Sequence, residues 1–217
     1  MVRTRGRPLP SGRVRPETAV VLGALFSVGG LLYACFAVNL VAGALGAATL
    51  ALYVLVYTPL KRVTTLNTAL GAIPGALPPL IGWAGAVGSV TVPGWTLFAI
   101  QFFWQLPHFL AISWLYRDDY ARAGFKMLAV LDDTGLRTAL HAISHTLGLC
   151  AVSLGPFVLG IVGRWYVLAA LVLGFGFAAF AVRFALNRSR EHARALFFAS
   201  LLYLPLIQGF VVLDKVK

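Results

Sequence analysis

The feature that most constrains this chain is a long stretch without charge. From Thr18 to Leu60 the sequence contains no Asp, Glu, Lys or Arg. A soluble helical domain needs charged residues every few positions to build its surface, so a stretch of this kind belongs in a lipid bilayer. Of all residues, 59% are hydrophobic and only 12% are charged, so the rest of the chain agrees. The sequence therefore predicts a membrane protein.

Apolar stretches of about twenty residues, the length that crosses a bilayer, recur along the chain. Lipid cannot satisfy free backbone polar groups, so each stretch is expected to be a helix. The predicted fold is all-α, a polytopic transmembrane helix bundle in a single domain, 1–217. Seven spans are predicted, near 18–37, 41–58, 70–88, 94–115, 138–161, 165–186 and 195–213.

Basic residues set the expected orientation of these spans. Of the 18 Lys and Arg residues, fifteen precede the first span or lie in every second loop, if Arg183 near the end of the sixth span is included; the other three are Arg164, Lys215 and Lys217. By the positive-inside rule, the N-terminus is expected in the cytoplasm and the C-terminus outside, in a bacterial-type inner membrane. The net charge of +11 is explained by these loops, so nucleic acid is not an expected partner.

Two basic segments are candidate anion sites. The opening stretch, "MVRTRGRPLPSGR", offers Arg3, Arg5 and Arg7 for a phosphate group, with topology and contact to anionic lipid as the alternative. The segment "YTPLKRVTTLN" places Lys61 and Arg62 at a helix end, where cations are favourable in any case.

The next apolar stretch, "GAIPGALPPLIGW", contains Pro74, Pro78 and Pro79. Proline removes a backbone donor, so this helix is expected to be kinked or broken. Irregular backbone at membrane depth is tolerated where it lines a cavity, which makes the stretch a candidate cavity wall.

Two of only seven acidic residues, Asp118 and Asp119, are adjacent in the segment "WLYRDDYARAGFKML". Neighbouring carboxylates repel each other unless a cation lies beside them, and oxygen ligands at a phosphate site suit magnesium. The flanking Arg117, Arg122 and Lys126 leave a second interpretation open, that of a solvated, self-neutralising loop.

Polar residues within the spans give two further patterns. Gln101, Gln105 and His108 share one helical face and predict a polar seam that runs toward the acidic loop. His141 and His145 are four apart, which suits a metal or heme ligand pair, but interhelical hydrogen bonding is the favoured interpretation.

The three segments, with the last extended to "WQLPHFLAISWLYRDDYARAGFKMLAV", resemble in order the signatures of heme O synthases, also called protoheme IX farnesyltransferases. These are a branch of the intramembrane aromatic prenyltransferases that includes 4-hydroxybenzoate polyprenyltransferases. The resemblance implies nine transmembrane helices around a cavity. It also implies that two acidic motifs hold magnesium and an isoprenyl diphosphate.

The implied reaction transfers farnesyl from farnesyl diphosphate to a vinyl group of heme B and adds water, giving heme O for heme-copper oxidases. Prenyl transfer to another aromatic acceptor, such as a quinone or chlorophyll-type precursor, is the alternative enzyme function. Membrane lipid is a further partner, and heme A synthase and terminal oxidase assembly factors are candidate protein partners.

The resemblance also assigns residues to roles. Arg3, Arg7 and Lys61 match diphosphate-binding positions, with Arg62 and Lys126 beside them, and Asp118 and Asp119 fall in the second acidic motif. Asp119 is the preferred magnesium ligand. His108, in "LPHF", matches a heme-branch position and is expected to contact the porphyrin or assist the water step.

The sequence departs from this family pattern at its start. The first acidic motif, an Asn followed by two Asp at four-residue spacing, is expected immediately before Met1, together with two further helices. A start codon misassigned inside that motif or a truncated gene is the favoured explanation, a split gene and a genuinely short chain are further explanations, and a non-catalytic remnant of the fold is the alternative function. The related enzymes also space the carboxylates of the second motif four apart, whereas here they are adjacent.

Overall fold

A computed structural model describes residues 4–216 of the chain, and in this range the protein is helical, without a strand. One isolated antiparallel bridge joins Val162 to Lys215. The α-helices are α1 (Pro16–Tyr33), α2 (Leu40–Ala51), α3 (Thr58–Leu60), α4 (Asn67–Val87), α5 (Val92–Leu115), α6 (Arg117–Arg122), α7 (Leu128–Leu131), α8 (Leu136–Val152), α9 (Gly155–Val158), α10 (Arg164–Leu186) and α11 (Arg190–Leu213). Two π-helical turns, Ala34–Val38 and Leu52–Tyr57, extend α1 and α2.

The transmembrane helix bundle predicted from the sequence is confirmed, but the count of seven apolar spans is not. Within the described residues, six helical stretches are long and apolar enough to cross a membrane: Pro16–Val38, Leu40–Leu60, Asn67–Val87, Leu136–Val158, Arg164–Leu186 and Arg190–Leu213. The exception is α5, which at 24 residues is about 36 Å long and so has the required length. Its Gln, His and Trp side chains make it less apolar than the other spans. Such side chains are tolerated here because neighbouring helices, and not lipid, surround α5.

Helix α5 lies at the centre of the bundle, where it packs against α4, α8 and α11. Helix α10 closes the other side by packing against α8 and α11, and α2 packs against α4. The main core cluster lies between α5, α8, α10 and α11 and includes the fully buried Leu149, Tyr166 and Phe184. By contrast, α1 has no buried residue, as expected of a helix that faces lipid.

The two ends of the bundle differ in charge. At one end, here called the basic end, the Trp114 indole donates a hydrogen bond to the carbonyl of Arg188 (3.0 Å), which joins the end of α5 to the α10–α11 loop. At the opposite end, Asp214 accepts a hydrogen bond from the backbone N–H of Tyr166 (2.7 Å). The loops that hold Lys61, the acidic segment and Arg188 all lie at the basic end.

The proline-rich helix α4 was expected to be kinked or broken. The structure shows one continuous helix from Asn67 to Val87 that contains Pro74, Pro78 and Pro79 in its interior, so the helix is not broken. The amide of Gln105 on α5 donates a hydrogen bond to the Ala72 carbonyl in the same region (2.7 Å). A polar side chain from the neighbouring helix thus supports the backbone of α4.

A buried carboxylate begins α8 at the basic end. Asp132 accepts hydrogen bonds from the backbone N–H groups of Gly135 (3.0 Å) and Thr138 (2.8 Å) and from the Thr138 hydroxyl (2.8 Å). Burial raises the pKa of Asp132, but these hydrogen bonds outweigh it and hold the pKa below its ordinary value. The charged form is therefore the one that stabilises the fold.

Replacing Asp132 with Asn should lower the free energy of unfolding by about 2 kcal/mol at neutral pH, because hydrogen bonds to a charged group are lost. The folded-state pKa is lowered, so the contribution of Asp132 is complete above the ordinary carboxyl pKa of about 4 and disappears as pH falls through the lowered value. Thermal unfolding in detergent across pH 3–7 measures both effects. Asp133→Asn is the matched control, because Asp133 is exposed. Equal unfolding temperatures for both variants would contradict this role of Asp132.

Candidate functional site

Lys61 lies at the basic end with its ammonium group over two tyrosine rings. Its Nζ atom is 4.1 Å from the ring centroid of Tyr57 and 5.5 Å from that of Tyr53. Burial lowers the pKa of Lys61. Neither of the two ion pairs found among residues 4–216 involves this side chain. The aromatic faces hold the cation in place by cation–π contact, and its charge stays available for an anion.

The loop that follows the acidic segment packs directly on the Lys61 segment. The backbone N–H of Lys126 donates to the Lys61 carbonyl (2.9 Å). Asn67, which is fully buried, donates from Nδ2 to the carbonyls of Thr64 and of Lys126, the latter at 2.8 Å. The structure therefore brings two segments together that are about sixty residues apart in the sequence. This role of Asn67 is not evident from the sequence, because it depends on a contact between distant segments.

Replacing Asn67 with Ala should lower the free energy of unfolding by about 1–3 kcal/mol, because the carbonyls of Thr64 and Lys126 lose the donor that the buried Asn67 side chain provides. Limited proteolysis should then cleave more readily near Lys126, since this loop is released from α4. The matched control is Thr65→Ala, at a partly exposed position next to the same helix. Unchanged proteolysis at Lys126 in the Asn67 variant would show that the loop is held by other contacts.

The two adjacent aspartates differ in their surroundings. Asp119 is buried and its Oδ1 atom accepts a hydrogen bond from Arg122 Nη2 at 2.6 Å, one turn further along α6. The side chain of Asp118 is 70% exposed, and its Oδ1 is 3.8 Å from Arg117 Nε. Consecutive residues of a helix point about 100° apart, so the two carboxylates do not face the same point.

Among the other predicted diphosphate ligands, Arg7, Arg62 and Lys126 are exposed. Arg62 and Lys126 lie at the basic end beside Lys61. Arg7 belongs to an exposed N-terminal segment whose hydrogen bonds, within the described residues, stay inside the segment. Arg3 is outside the described residues. The structure thus joins the Lys61–Arg62 and Lys126 segments through their backbones, and Arg7 has no contact with them in the part described.

His108 lies between α5 and α11. Its Nδ1 atom is 2.7 Å from Ser200 Oγ, and the Ser200 hydroxyl also donates to the Phe197 carbonyl. The histidine is therefore the donor in its own contact, which leaves its Nε2 atom unprotonated. The imidazole stacks on Trp104, with ring centroids 5.0 Å apart, and lies at the same distance from the ring of Phe197. Seven residues separate His108 from the end of α5, so it is roughly 10 Å from the basic end.

The polar residues predicted to form a seam along α5 contact two different helices. Gln105 bonds to Ala72 on α4, whereas His108 bonds to Ser200 on α11. Gly75 makes the first contact feasible, because a Cβ atom there would lie 2.3 Å from the Gln105 side-chain oxygen. The seam is therefore not one continuous path from mid-membrane to the acidic loop.

Two cavities flank α4. At the basic end, a cavity of about 170 Å³ lies between α4, α5 and α8 and includes both His141 and His145 in its wall. Toward the opposite end, an apolar cavity of about 360 Å³ is lined by Pro79, Trp83 and other residues of α4, α5 and α11. The proline-rich stretch thus lines a cavity, as the sequence predicts.

The interhelical hydrogen bonds expected for His141 and His145 are not formed within the described residues. Instead, the Nδ1 atom of His145 lies 2.6 Å from the carbonyl oxygen of His141 in the same helix. The two rings stack with centroids 5.8 Å apart. The prediction is wrong because one helical turn brings the side chain within reach of the local backbone.

The described residues do not form a metal cage by themselves. Within residues 4–216, no group of three or more His, Cys, Asp or Glu side chains is arranged to hold a metal ion. The acidic segment offers Asp118, which is exposed, and Asp119, which is bound to Arg122. This donor set suits a magnesium ion that is also bound by substrate phosphates, because such ions use only one or two protein carboxylates.

Comparison with known proteins is consistent with this arrangement. The family model for the UbiA prenyltransferase family matches residues 1–202. The chain is 48% identical to the protoheme IX farnesyltransferase of Solibacter usitatus over 99% of this chain and 74% of that protein. It is 43% identical to that of Opitutus terrae, over 99% of this chain and 73% of the relative. It is also 38% identical to the mitochondrial protoheme IX farnesyltransferase of Arabidopsis thaliana, over 100% of this chain and 50% of that protein.

A solved structure titled for digeranylgeranylglyceryl phosphate synthase in membranes shares the fold. The TM-score is 0.80 over 97% of this chain and 74% of that chain, at 17% sequence identity. The family match extends over nearly the whole chain, and the identity to several relatives is high. Together with the membrane-spanning helices, these matches establish an integral, multi-pass membrane protein that belongs to the UbiA prenyltransferase family.

Proposed function

We propose that this protein is a heme O synthase. It transfers farnesyl from farnesyl diphosphate to a vinyl group of heme B, with addition of water. The observation that carries this proposal is the 48% identity, over nearly the full chain, to a relative named protoheme IX farnesyltransferase. The cluster of cations at the basic end, beside an acidic helix and a cavity, supports it.

The proposed reaction begins with departure of the diphosphate. The bond between the allylic carbon and the diphosphate oxygen breaks, and positive charge beside the leaving group stabilises the departing anion. Lys61 is the proposed main contact, because Tyr53 and Tyr57 hold its ammonium group in place. Arg62 and Lys126 bind the outer phosphate oxygens, together with Arg3 and Arg7 from the N-terminal segment.

Asp119, with Asp118, is the proposed magnesium-binding group. Proteins of the UbiA family generally use a divalent metal to bind diphosphate. When bound, magnesium would neutralise charge on the diphosphate oxygens. Arg122 fixes the orientation of the Asp119 carboxylate, and the exposure of Asp118 leaves it free to turn toward a ligand.

The new carbon–carbon bond forms between the allylic carbon and the terminal vinyl carbon of the heme. This leaves a cation beside the porphyrin ring, and water adds to it with loss of one proton. His108 is the proposed residue for this step, because its unprotonated Nε2 atom can accept that proton or orient the water. Trp104 and Phe197, which flank His108, present aromatic faces that stabilise a cation.

We further propose that the basic end faces the cytoplasm and that the C-terminus lies outside. The support is the concentration of Lys and Arg at one end of the bundle. Heme O would pass from the membrane to heme A synthase or to terminal oxidase assembly factors. Cysteine accessibility at Ser189 and at Val216 tests the orientation, since only the first position is expected to be labelled from the cytoplasmic side.

The function is tested with membranes that contain this protein, supplied with heme B, farnesyl diphosphate and magnesium. The expected product is heme O, which has the mass of heme B plus a farnesyl group and water. In a parallel assay, 4-hydroxybenzoate is supplied in place of heme B. Formation of prenylated 4-hydroxybenzoate would contradict the heme assignment and show that the acceptor is a quinone-type precursor. Absence of any prenylated product would favour the non-catalytic interpretation.

A further inference from the structure

Another cavity at the basic end contains an arginine for which the proposed reaction has no role. It lies between α5 and α11 and has a volume of about 230 Å³. Its wall is formed by Ile112, Leu115, Tyr116, Arg194, Phe197 and Phe198. Sites that enclose a whole small molecule have roughly 300–1,000 Å³, so this cavity has room for one edge of a larger ligand.

The charge of Arg194 is available to a ligand. The ion pairs found among residues 4–216 do not involve Arg194, and no hydrogen bond of its side chain is found in this range. The nearest acidic residue on the same helix, Glu191, lines a different cavity together with Arg183 and His192. A guanidinium group beside aromatic and aliphatic side chains suits the carboxylate of an otherwise apolar molecule.

This cavity lies on the side of α5 that holds His108. Phe197 belongs to both places, because its ring centroid is 5.0 Å from that of His108 and its side chain lines the cavity. Ile112 is four residues from His108 and therefore shares its helical face. Ser200, the hydrogen-bond partner of His108, is six residues further along α11 than Arg194, a rise of about 9 Å. Arg194 thus lies nearer the basic end than the proposed site of the water step, by a distance comparable to the width of a porphyrin.

The two edges of heme B differ in a way that matches this arrangement. Both propionate carboxylates are on one edge of the porphyrin, and the vinyl groups are on the other half of the ring. A vinyl group beside His108 therefore places the propionates toward one end of the bundle. Toward the opposite end, the cavity of about 360 Å³ lined by Pro79 and Trp83 has no charged side chain in the part of its wall that the structure describes. Only the direction toward Arg194 offers a cation on this side of α5.

We infer that Arg194 binds a propionate carboxylate of the heme acceptor in the cavity between α5 and α11, and thereby directs the vinyl edge of the porphyrin toward His108. This inference rests on the proposed function for the identity of the acceptor. The cavity receives only the propionate edge, and the rest of the ring lies along α5 and α11. Arg194 is then a specificity-determining residue, separate from the cations proposed to bind the diphosphate.

The test compares heme B with its dimethyl ester, in which both propionates are esterified and uncharged. The purified, detergent-solubilised protein is titrated with each compound, and binding is measured by quenching of tryptophan fluorescence. The wild type should bind heme B about tenfold more tightly than the ester, because a hydrogen bond to a charged group is made only with heme B. Arg194→Ala should bind the two compounds about equally. Arg194→Lys should keep part of the preference, since it retains the charge but not the paired donors of the guanidinium group.

Arg137→Ala is the matched control. Arg137 is exposed at the same end of the bundle, at the start of α8, and is not in the wall of the cavity between α5 and α11. The substitution removes the same charge, so this variant should retain the wild-type preference for heme B. An equal loss of preference in the Arg137 variant would show that the net charge of the basic end attracts the propionates, and would overturn the inference.

The same variants exclude other roles for Arg194. If Arg194→Ala bound heme B and the ester both more weakly by the same factor, the role of Arg194 would be structural and the inference would fail. An unchanged affinity for heme B would leave Arg194 as a contact for anionic lipid. The KM for farnesyl diphosphate should stay within about twofold of wild type, whereas a rise as large as that for heme B would assign Arg194 to the diphosphate and overturn the inference.

Turnover distinguishes this inference from the proposed function. If the wild type makes heme O and Arg194→Ala keeps the preference for heme B over the ester, the function stands and the inference fails. If the preference depends on Arg194 but the wild type makes no heme O, the propionate contact stands and the proposed catalytic function fails. A wild type that neither binds heme B nor makes heme O would overturn both.

Discussion

Replacing Asp119 with Asn should reduce kcat/KM for heme O formation by a factor of about 100 or more. The carboxylate is buried and held by Arg122 at 2.6 Å, so its charge acts at a fixed position. Removal of one preorganised electrostatic group commonly has an effect of this size. The magnesium concentration that gives half-maximal activity should also rise, which a purely structural role would not produce. Product formation is measured by mass spectrometry over a magnesium titration.

Asp118→Asn is the matched control, because it changes the neighbouring carboxylate in the same way. Its side chain is 70% exposed and its contact with Arg117 is long at 3.8 Å, so its loss should reduce activity by less than about tenfold. The reverse order of effects would show that the exposed aspartate is the principal magnesium ligand. Equal and small effects would remove both residues from the site.

Replacing Gly71 with Ala should disturb the Lys61 site from a neighbouring helix. A Cβ atom at this position of α4 would lie 2.4 Å from the Tyr57 ring, which is too close, so the ring must move. Tyr57 carries the Lys61 ammonium at 4.1 Å, and its displacement should raise KM for farnesyl diphosphate more than it lowers kcat. Overpacking should also reduce the free energy of unfolding by roughly 1–3 kcal/mol.

Gly209→Ala on α11 serves as the control for this change. A Cβ atom at Gly209 would meet no heavy atom within 4 Å, so stability and KM should stay near wild type. Steady-state kinetics and thermal unfolding are measured for both variants. Wild-type KM in the Gly71 variant would mean that the tyrosine contact does not position Lys61 for the diphosphate.

Much of the fold could be predicted because the signals are local. Each of these signals shows whether one segment lies in lipid or in water. They are the charge-free stretch, the spacing of the basic loops and the apolar runs. The span count was wrong at α5, which is less apolar than a typical span because its polar side chains contact neighbouring helices and not lipid, as in the Gln105–Ala72 hydrogen bond. Helix α4, expected to be kinked or broken, is continuous through its prolines.

The candidate site was only partly predictable. The sequence identified Lys61 and the acidic segment as separate candidates, and the structure brings the Lys61 and Lys126 backbones within hydrogen-bond distance. It gave no indication that Asn67 makes this connection, or that tyrosine rings and not a carboxylate hold Lys61. These are contacts between distant segments, and a periodic pattern in one helix does not specify its partners.

The sequence by itself determined that this chain is a membrane helix bundle and where its charges lie, because hydropathy and charge act residue by residue. Only the tertiary structure decided how the polar groups pair. Helical periodicity places Gln105 and His108 on one face, yet the packing of three helices sends one to α4 and the other to α11. In the same way, the local backbone and not another helix satisfies His145.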